Sequence, residues 1–484
     1  MASACELRRT SHDERLAGSE PYDVVDWDGP EDDANPLYWG TPKKVLNVAC
    51  VSIFNFLTPL GSAMFAPGVT QVMEQFHSTS KPLSSFVVSV YLLGFAFGPL
   101  IVAPLSELYG RLPLYHGCNI LFTLSNIACA LAPSMSSLIG FRFLAGSAGS
   151  APLALGAGTI ADIMEPKRRG LAIAVWATGP VVGPVVGPVC GGFLTENASW
   201  RWVFWVIAIL SGICTGFSFL FLRETYAPIL LSRKTKRLIR ETGHSNKRSA
   251  LHSDLTPSTL FTTSITRPLK MLVFSPIISA LSLYVAVVYG FLYLLFTTMS
   301  QVYGNQYHFT AGLVGLTYIG LGAGSTIGLL AMGRFSDVVS KRLAGGTKGS
   351  WKPEFRLALM IPLSLGLPIG LFWYGWAAEK KAHWILPIIG TGWIGIGVVA
   401  SFVAIQSYLV DAFTTHAASA AAASTVLRSL LGAVLPLAGP SMYSALGLGW
   451  GNSVLAFIAI AMLPLPLVFF MYGERIREKQ LFVF

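Results

Sequence analysis

The sequence predicts an all-α polytopic membrane protein of twelve transmembrane helices in two six-helix pseudo-repeats. Three observations predict it: a shortage of charge, a succession of apolar runs near bilayer length, and a short motif present in both halves. Of 484 residues, 53% are hydrophobic and 12% charged, about half the roughly 25% charged residues of soluble globular proteins. Residues 1–44 hold 15 charges, residues 223–270 hold 13 and residues 473–484 hold 5, which leaves 25 for the other 380 residues. A soluble fold of that size carries far more surface charge, and a disordered or fibrous chain is less apolar. The net charge of +10 raises nucleic acid as a partner. Once the apolar runs are placed in lipid no basic face remains, so no nucleic-acid partner is expected and positive loops on one side of a membrane account for the charge.

The elements follow in order. Residues 1–44 contain ten acids and Pro/Gly/Asp-rich stretches, which reads as a disordered cytoplasmic tail with no cleavable signal peptide. Apolar runs close to the roughly 20 residues that cross a bilayer then fall at 45–67, 83–105, 113–132, 136–160, 170–194 and 201–222, forming an N-terminal half over 45–222. A polar segment, 223–271, is expected as a cytoplasmic linker. Six more runs at 272–297, 311–332, 356–377, 384–410, 414–437 and 450–472 form a C-terminal half over 272–472, and 473–484 is a second cytoplasmic tail. Spanning segments are helical because hydrocarbon offers no partner to a free backbone group. With both termini inside, the cytoplasmic segments collect 28 Lys/Arg and the outer loops only Lys81, Arg201, Lys380 and Lys381, a strong positive-inside bias. The run Arg233-Lys234-Thr235-Lys236-Arg237 reads as a solvated linker held at the lipid surface by its charge, which makes membrane lipid a partner. The plasma membrane is the expected location and the vacuolar membrane the alternative. Five of the six cysteines, all but Cys5, lie in apolar runs, and no CxxC or His/Cys cluster is present, so no metal and no redox cofactor is expected. Without a Ser/His/Asp, metal-ligand or phosphate-loop constellation, the chain does not read as an enzyme.

The repeat lies after the second and eighth runs. Ala103-Pro-Leu-Ser-Glu107-Leu-Tyr-Gly110-Arg111 and Gly333-Arg-Phe-Ser-Asp337-Val-Val-Ser-Lys341-Arg342 each set an acid four residues before a base at an expected cytoplasmic turn. Gly110 permits a tight turn, and Asp162, at the end of the fourth run, is a neighbouring carboxylate by topology. Parallel repeats of this kind place substrate between the halves near the midplane. The fifth run carries Gly179, Pro180, Gly183, Pro184, Gly187, Pro188, Gly191 and Gly192. Glycine at every fourth position gives a smooth face for close helix approach, and three prolines invite bends. Arg142 and Arg428 lie inside spans, where a charge costs at least roughly 2.5–3.5 kcal/mol on insertion scales and marks a functional position.

On these residues the sequence resembles the major facilitator superfamily, and within it the twelve-span drug:proton antiporters of fungal type. The 103–111 loop resembles the family's Gly-x-x-x-Asp-Arg-x-Gly-Arg-Arg signature and departs from it at Ala103, Glu107, Leu108 and Leu112. The resemblance implies a conformational latch formed by Glu107, Gly110, Arg111 and Asp162, with Gly333, Asp337 and Lys341 in the second half. The fifth run looks like the family's antiporter motif, which implies a helix that seals against leak. Arg142, in Arg142-Phe-Leu-Ala-Gly146, resembles the family's Arg-x-x-x-Gly element, which implies coupling of proton movement to substrate; Arg428 is assigned with it. Together these imply a monomeric exporter of small organic molecules (drugs, toxins or secondary metabolites) in exchange for protons. A proton-coupled uptake carrier for a nutrient or polyamine is the alternative. Tyr91, Tyr284, Tyr289 and Phe296 are expected to wall a cavity, and Asn197 is a glycosylation sequon. No acid lies deep in a run; Glu74, Asp162, Glu196 and Asp411 are the nearest.

Overall fold

A computed structural model describes residues 23–29, 32–243, 246–252, 256–345 and 352–478; residues 1–22, with Cys5, and 479–484 of the tails lie outside them. Spans 1 to 6 are Thr41–Ala63, Lys81–Tyr109, Arg111–Ala130, the pair Met135–Gly149 and Ala151–Ile163, Pro166–Asn197, and Trp200–Phe221. Span 7 is Pro276–Tyr307 and span 8 Ala311–Leu343. Span 9 is built from Met360–Ser364 and Gly366–Glu379, and span 10 is Ile385–Ala412. Spans 11 and 12 together occupy Ala417–Met462 and Pro464–Glu478, with span 12 beginning after Gly447.

Ten helical segments among the described residues are long and apolar enough to cross a membrane. Two local features account for the difference from twelve. Span 3 has 20 residues, about 30 Å of helix, but Arg111, His116, Asn119 and Asn126 dilute its hydropathy. Residues 417–478 count as one segment, although Gly447, at φ 77° and ψ 174°, breaks the helix and separates span 11 from span 12. One hydrophobic core runs through both halves, from Leu57 to Phe469, and the halves meet along two main seams, span 2 on span 11 and span 5 on span 8.

Two expectations need correction. The tail is not featureless: β1 (Asp23–Val25) pairs in parallel with β2 (Lys247–Ser249) of the linker, and Pro36–Tyr38 forms a 3-10 turn capped by Asn35. Acidic tail and basic linker attract, with Lys247 on Asp23 at 2.5 Å and Lys234 on Asp28 at 2.6 Å. The N–H groups of Asp28 and Ala34 bond the Asp32 carboxylate and hold its pKa below the usual range. Span 7 also runs to Tyr307, well past the expected end at 297. Its polar run Ser300-Gln301-Val-Tyr-Gly-Asn305-Gln306 resembles a loop yet continues the helix, because its polar face lines cavities described below.

Candidate functional site

At the end of the bundle that bears the termini, Gly110 joins spans 2 and 3. Its φ of +100° belongs to a region that disfavours side chains, and a Cβ there would meet the Glu224 carboxylate. Span 3 therefore starts abruptly, and its first amides need acceptors. Glu224, just past span 6, supplies them: the N–H groups of Arg111 and Leu112 donate to Glu224 Oε1 and Oε2 at 3.1 and 3.2 Å. A carboxylate at a helix start also suits the helix dipole. The N–H groups of Thr225 and Tyr226 donate to the same carboxylate, each at 3.0 Å. Arg111 Nε donates to Asp162 Oδ2 at 2.6 Å, and Thr225 Oγ1 donates to that oxygen at 3.2 Å. The Arg111 guanidinium lies over the Tyr226 ring, 5.2 Å from its centroid. Glu107 stays exposed and makes no ion pair among the described residues. The organising residue the sequence reading passed over is Glu224.

The second half differs from expectation. Gly333, Asp337 and Lys341 lie inside the continuous helix of span 8, not at a turn, because Gly333 is helical with open space around it and nothing in the run breaks the helix before Leu343. Lys341 forms no ion pair among the described residues. The base that meets Asp337 is Arg356, before span 9, which also donates through Nε to Asp411 Oδ2 at 3.0 Å. Asp411 lies in the last turn of span 10. Arg356 and Asp411 are thus the counterparts of Arg111 and Asp162, 55 residues apart in one half and 51 in the other. Nearby, Glu354 is buried with Arg477 at 3.4 Å, an acid the sequence reading placed outside the spans.

Both buried bases sit among aromatic rings. Arg142 is 1% exposed; its Nη2 donates to the Ser62 and Val88 carbonyls at 3.1 and 3.2 Å, and its guanidinium is 4.9, 5.5 and 5.7 Å from the centroids of Phe65, Tyr91 and Phe204. Arg428, 5% exposed, lies over Tyr289 and Phe402 at 4.7 and 4.9 Å. Cation–π contact partly offsets the lost hydration. Neither base pairs with a carboxylate among the described residues, and the Nε of each lacks a hydrogen-bond partner. Of the expected cavity walls, Tyr91, Tyr284 and Phe296 are buried in helix packing and Tyr289 is half-buried against Arg428.

The glycine stripe of span 5 lies on the backbone of span 1. A Cβ at Gly179, Gly183 or Gly187 would stand 2.8 Å from Asn55 O, 2.9 Å from Leu60 N or 3.0 Å from Leu60 O, and Gly191 rests on the Met64 carbonyl. Gly192 faces the other half, against the Ala311 carbonyl, and Gly315 of span 8 rests on the Pro188 carbonyl. Pro180 has no N–H for the Trp176 carbonyl four residues back; Asn55 Nδ2 donates to it instead at 2.8 Å. Pro184 and Pro188 continue the same helix. Asn197, at the end of span 5, is exposed, and its Nδ2 donates to Phe193 O at 2.9 Å.

Hydrogen bonds between spans of opposite halves lie from mid-bundle to the end away from the termini. Ser62 and Tyr293 hydroxyls bond at 2.9 Å, Ser89 Oγ donates to Ala433 O at 2.8 Å, Ser300 Oγ to Ala66 O at 3.3 Å, and Gly312 N to Glu196 Oε2 at 2.7 Å. Toward the termini, Leu171 and Val175 of span 5 and Leu330 and Phe335 of span 8 are exposed. The bonds between the halves thus gather at the end away from the termini, while toward the termini the linker helix Pro257–Phe274 packs on spans of both halves.

Two parallel six-helix repeats bonded to each other at one end around buried charge form the fold of a membrane transporter. The family model of the Major Facilitator Superfamily matches residues 51–436, and the chain belongs to that superfamily. It is 57% identical over 459 residues to the MFS-type transporter penM of Penicillium rubens, covering 95% of this chain and 90% of that one. It is 50% identical to the efflux pump radE of Floropilus chiversii, covering 95% and 86%. Among solved structures, a D-xylose-proton symporter matches with a TM-score of 0.67 at 17% identity, over 88% of this chain and 97% of that one, a likeness of fold.

Proposed function

We propose that this transporter exports small organic molecules of the drug, toxin or secondary-metabolite kind in exchange for protons, by alternating access, as a monomer with both termini cytoplasmic. The observation that carries the reading is the Gly179–Gly191 face pressed on the span 1 backbone, the contact expected of a helix that seals while the halves rock. The likeness to radE, an efflux pump, supports the direction. In this reading the end that bears the termini faces the cytoplasm, and Arg142 and Arg428 carry substrate or coupling charge. Glu107, Gly110, Arg111 and Asp162, together with Glu224, form one latch; Asp337, Arg356 and Asp411 form the other, and Gly333 and Lys341 leave it.

Efflux from preloaded cells at constant ATP tests the reading. An uncoupler should abolish it, and uncoupler-insensitive efflux rejects antiport. Gly183→Leu should reach the membrane and fail to transport; full activity returns the stripe to ordinary packing.

A further inference from the structure

Two cavities open at the end of the bundle away from the termini, and neither is lined by Arg142 or Arg428. The larger, about 520 Å³, lies between the halves: Gln71, Glu74 and Ser84 come from the first, Gln301, Asn305 and Phe309 from the second. The smaller, about 260 Å³, runs between spans 7 and 11 and shares Gln301 and Asn305 with it. The volumes fall near the range of small-molecule sites, roughly 300–1,000 Å³. Gln306 lines the smaller cavity, and its buried Oε1 has no hydrogen-bond partner among the described residues. Such an atom costs about 1–3 kcal/mol unless something meets it. Among the described residues Glu74 is the only charged one in either lining, and its field favours cations over anions. Amide side chains offer both donors and acceptors, while Met73 and Phe309 supply apolar wall.

We propose that these adjacent cavities, which share the wall of Gln301 and Asn305, form a release-side binding site for amphipathic organic molecules that are cationic or neutral and carry hydrogen-bonding groups. The inference rests on the export reading for its direction. Glu74 selects charge, and Gln301, Asn305 and Gln306 bond the polar groups. The bonds that cross the cavity are slight: Gln301 Nε2 donates to Ser84 Oγ at 3.4 Å and Ser300 Oγ to Ala66 O at 3.3 Å. Parting the halves at this end breaks both, together with the bond from Gly312 N to Glu196 Oε2 at 2.7 Å, and widens the half-open site into a vestibule, so occupancy and exit are linked to the same motion.

The test is equilibrium binding to the full chain in lipid nanodiscs, read by fluorescence polarisation, with a lipophilic rhodamine-class cation, a neutral dye of similar size and a carboxylated anionic dye. Efflux of the same dyes is measured in parallel. Glu74→Gln should weaken the cation about fivefold, the scale of a partly exposed ion pair, and leave the neutral dye unchanged. Asn305→Trp fills the shared wall and should abolish binding of both; a matching unfolding temperature shows that it folds. Wild-type binding in both variants, or an anion bound as tightly as the cation, overturns the site. If no dye is transported but the binding pattern holds, the export reading fails and the site stands; transport with binding indifferent to both variants sinks the site alone.

Discussion

The two halves tie their third and fourth helices together with the same pair of charges but start the third helix differently. Arg111 and Asp162 are 14% and 21% exposed, against 26% and 27% for Arg356 and Asp411. In the first half one glycine separates spans 2 and 3, so the carboxylate of Glu224 reaches the freed amides and locks the joint through backbone. In the second half span 8 runs on to Leu343, and Arg356 is left to bridge two acids, one of them, Asp337, 64% exposed. The first joint is a backbone device and the second a side-chain tie. The far end shows a matching inversion. Arg201 of span 6 donates to the carbonyls of Ala130, the last residue of span 3, and of Ala132 just past it, at 2.6 and 3.2 Å. In the second half the acid Glu379 of span 9 accepts from the first amides of span 12, Leu448 and Gly449, at 2.7 and 3.2 Å. Each charge matches the helix end it meets, so duplicated helices can keep a junction while reversing its polarity.

The sharpest way to break this comparison is the glycine pair. Gly110→Val forces a branched side chain into positive φ, roughly 1–3 kcal/mol of strain, and drives Cβ onto Glu224; it should abolish folding or membrane delivery. Gly333→Val, in a helix with open space, should fold and reach the membrane. Equal damage from both, read by unfolding temperature in detergent, removes the distinction between the joints. The next effect is on the charge pairs. Removing one partner of a fully buried pair costs about 3–5 kcal/mol, and exposed pairs are worth about 0–1 kcal/mol. Arg111→Gln should therefore cost roughly 1–3 kcal/mol and lose transport. Arg356→Gln should cost less, because its acids are better solvated; the reverse order in chemical denaturation contradicts the argument. Smaller still, Arg201→Ala and Glu379→Ala should each lose about 1–2 kcal/mol, the worth of charged caps with two bonds, and be similar despite opposite charge.

How much of this was legible follows from which signals are local. Span count and periodic glycines are properties of neighbouring residues, so the bundle and the smooth face of span 5 could be read directly. Arg142 stood out because a charge inside an apolar run has few explanations. Glu224 did not, since its task is to meet amides of a helix more than a hundred residues earlier, and an acid beside Arg223 at a span end looks solvated. Asn55 was invisible for the same reason, bonding a carbonyl that a proline frees on another helix. Glu354, in a short turn before span 9, read as loop and is buried because that turn packs on spans 8, 10 and 12, with Arg477 of span 12 at 3.4 Å. Ser300 to Gln306 read as the end of a helix because polarity alone does not tell a loop from a wall facing a cavity. Span 3 was placed by its apolar residues although its polar ones hold it below the hydropathy of its neighbours.

Lys341 gives the smallest effect and the cleanest check on how the repeat should be aligned. Matching the two motifs by the acid and the base four residues later pairs Lys341 with Arg111. Matching them by fold pairs Arg356 with Arg111, because each stands at the start of the third helix of its half and each meets the acid that ends the fourth. An acid and a base four apart on an exposed helix are worth only about 0.2–0.5 kcal/mol, and Asp337 already has Arg356. Lys341→Ala should therefore leave unfolding within about 0.5 kcal/mol of the parent and leave efflux unchanged, while Arg356→Ala impairs both. If Lys341→Ala instead abolished efflux with the protein delivered and folded, the short motif rather than the helix order would be the functional register of the duplication, and Arg356 would return to being an ordinary surface base.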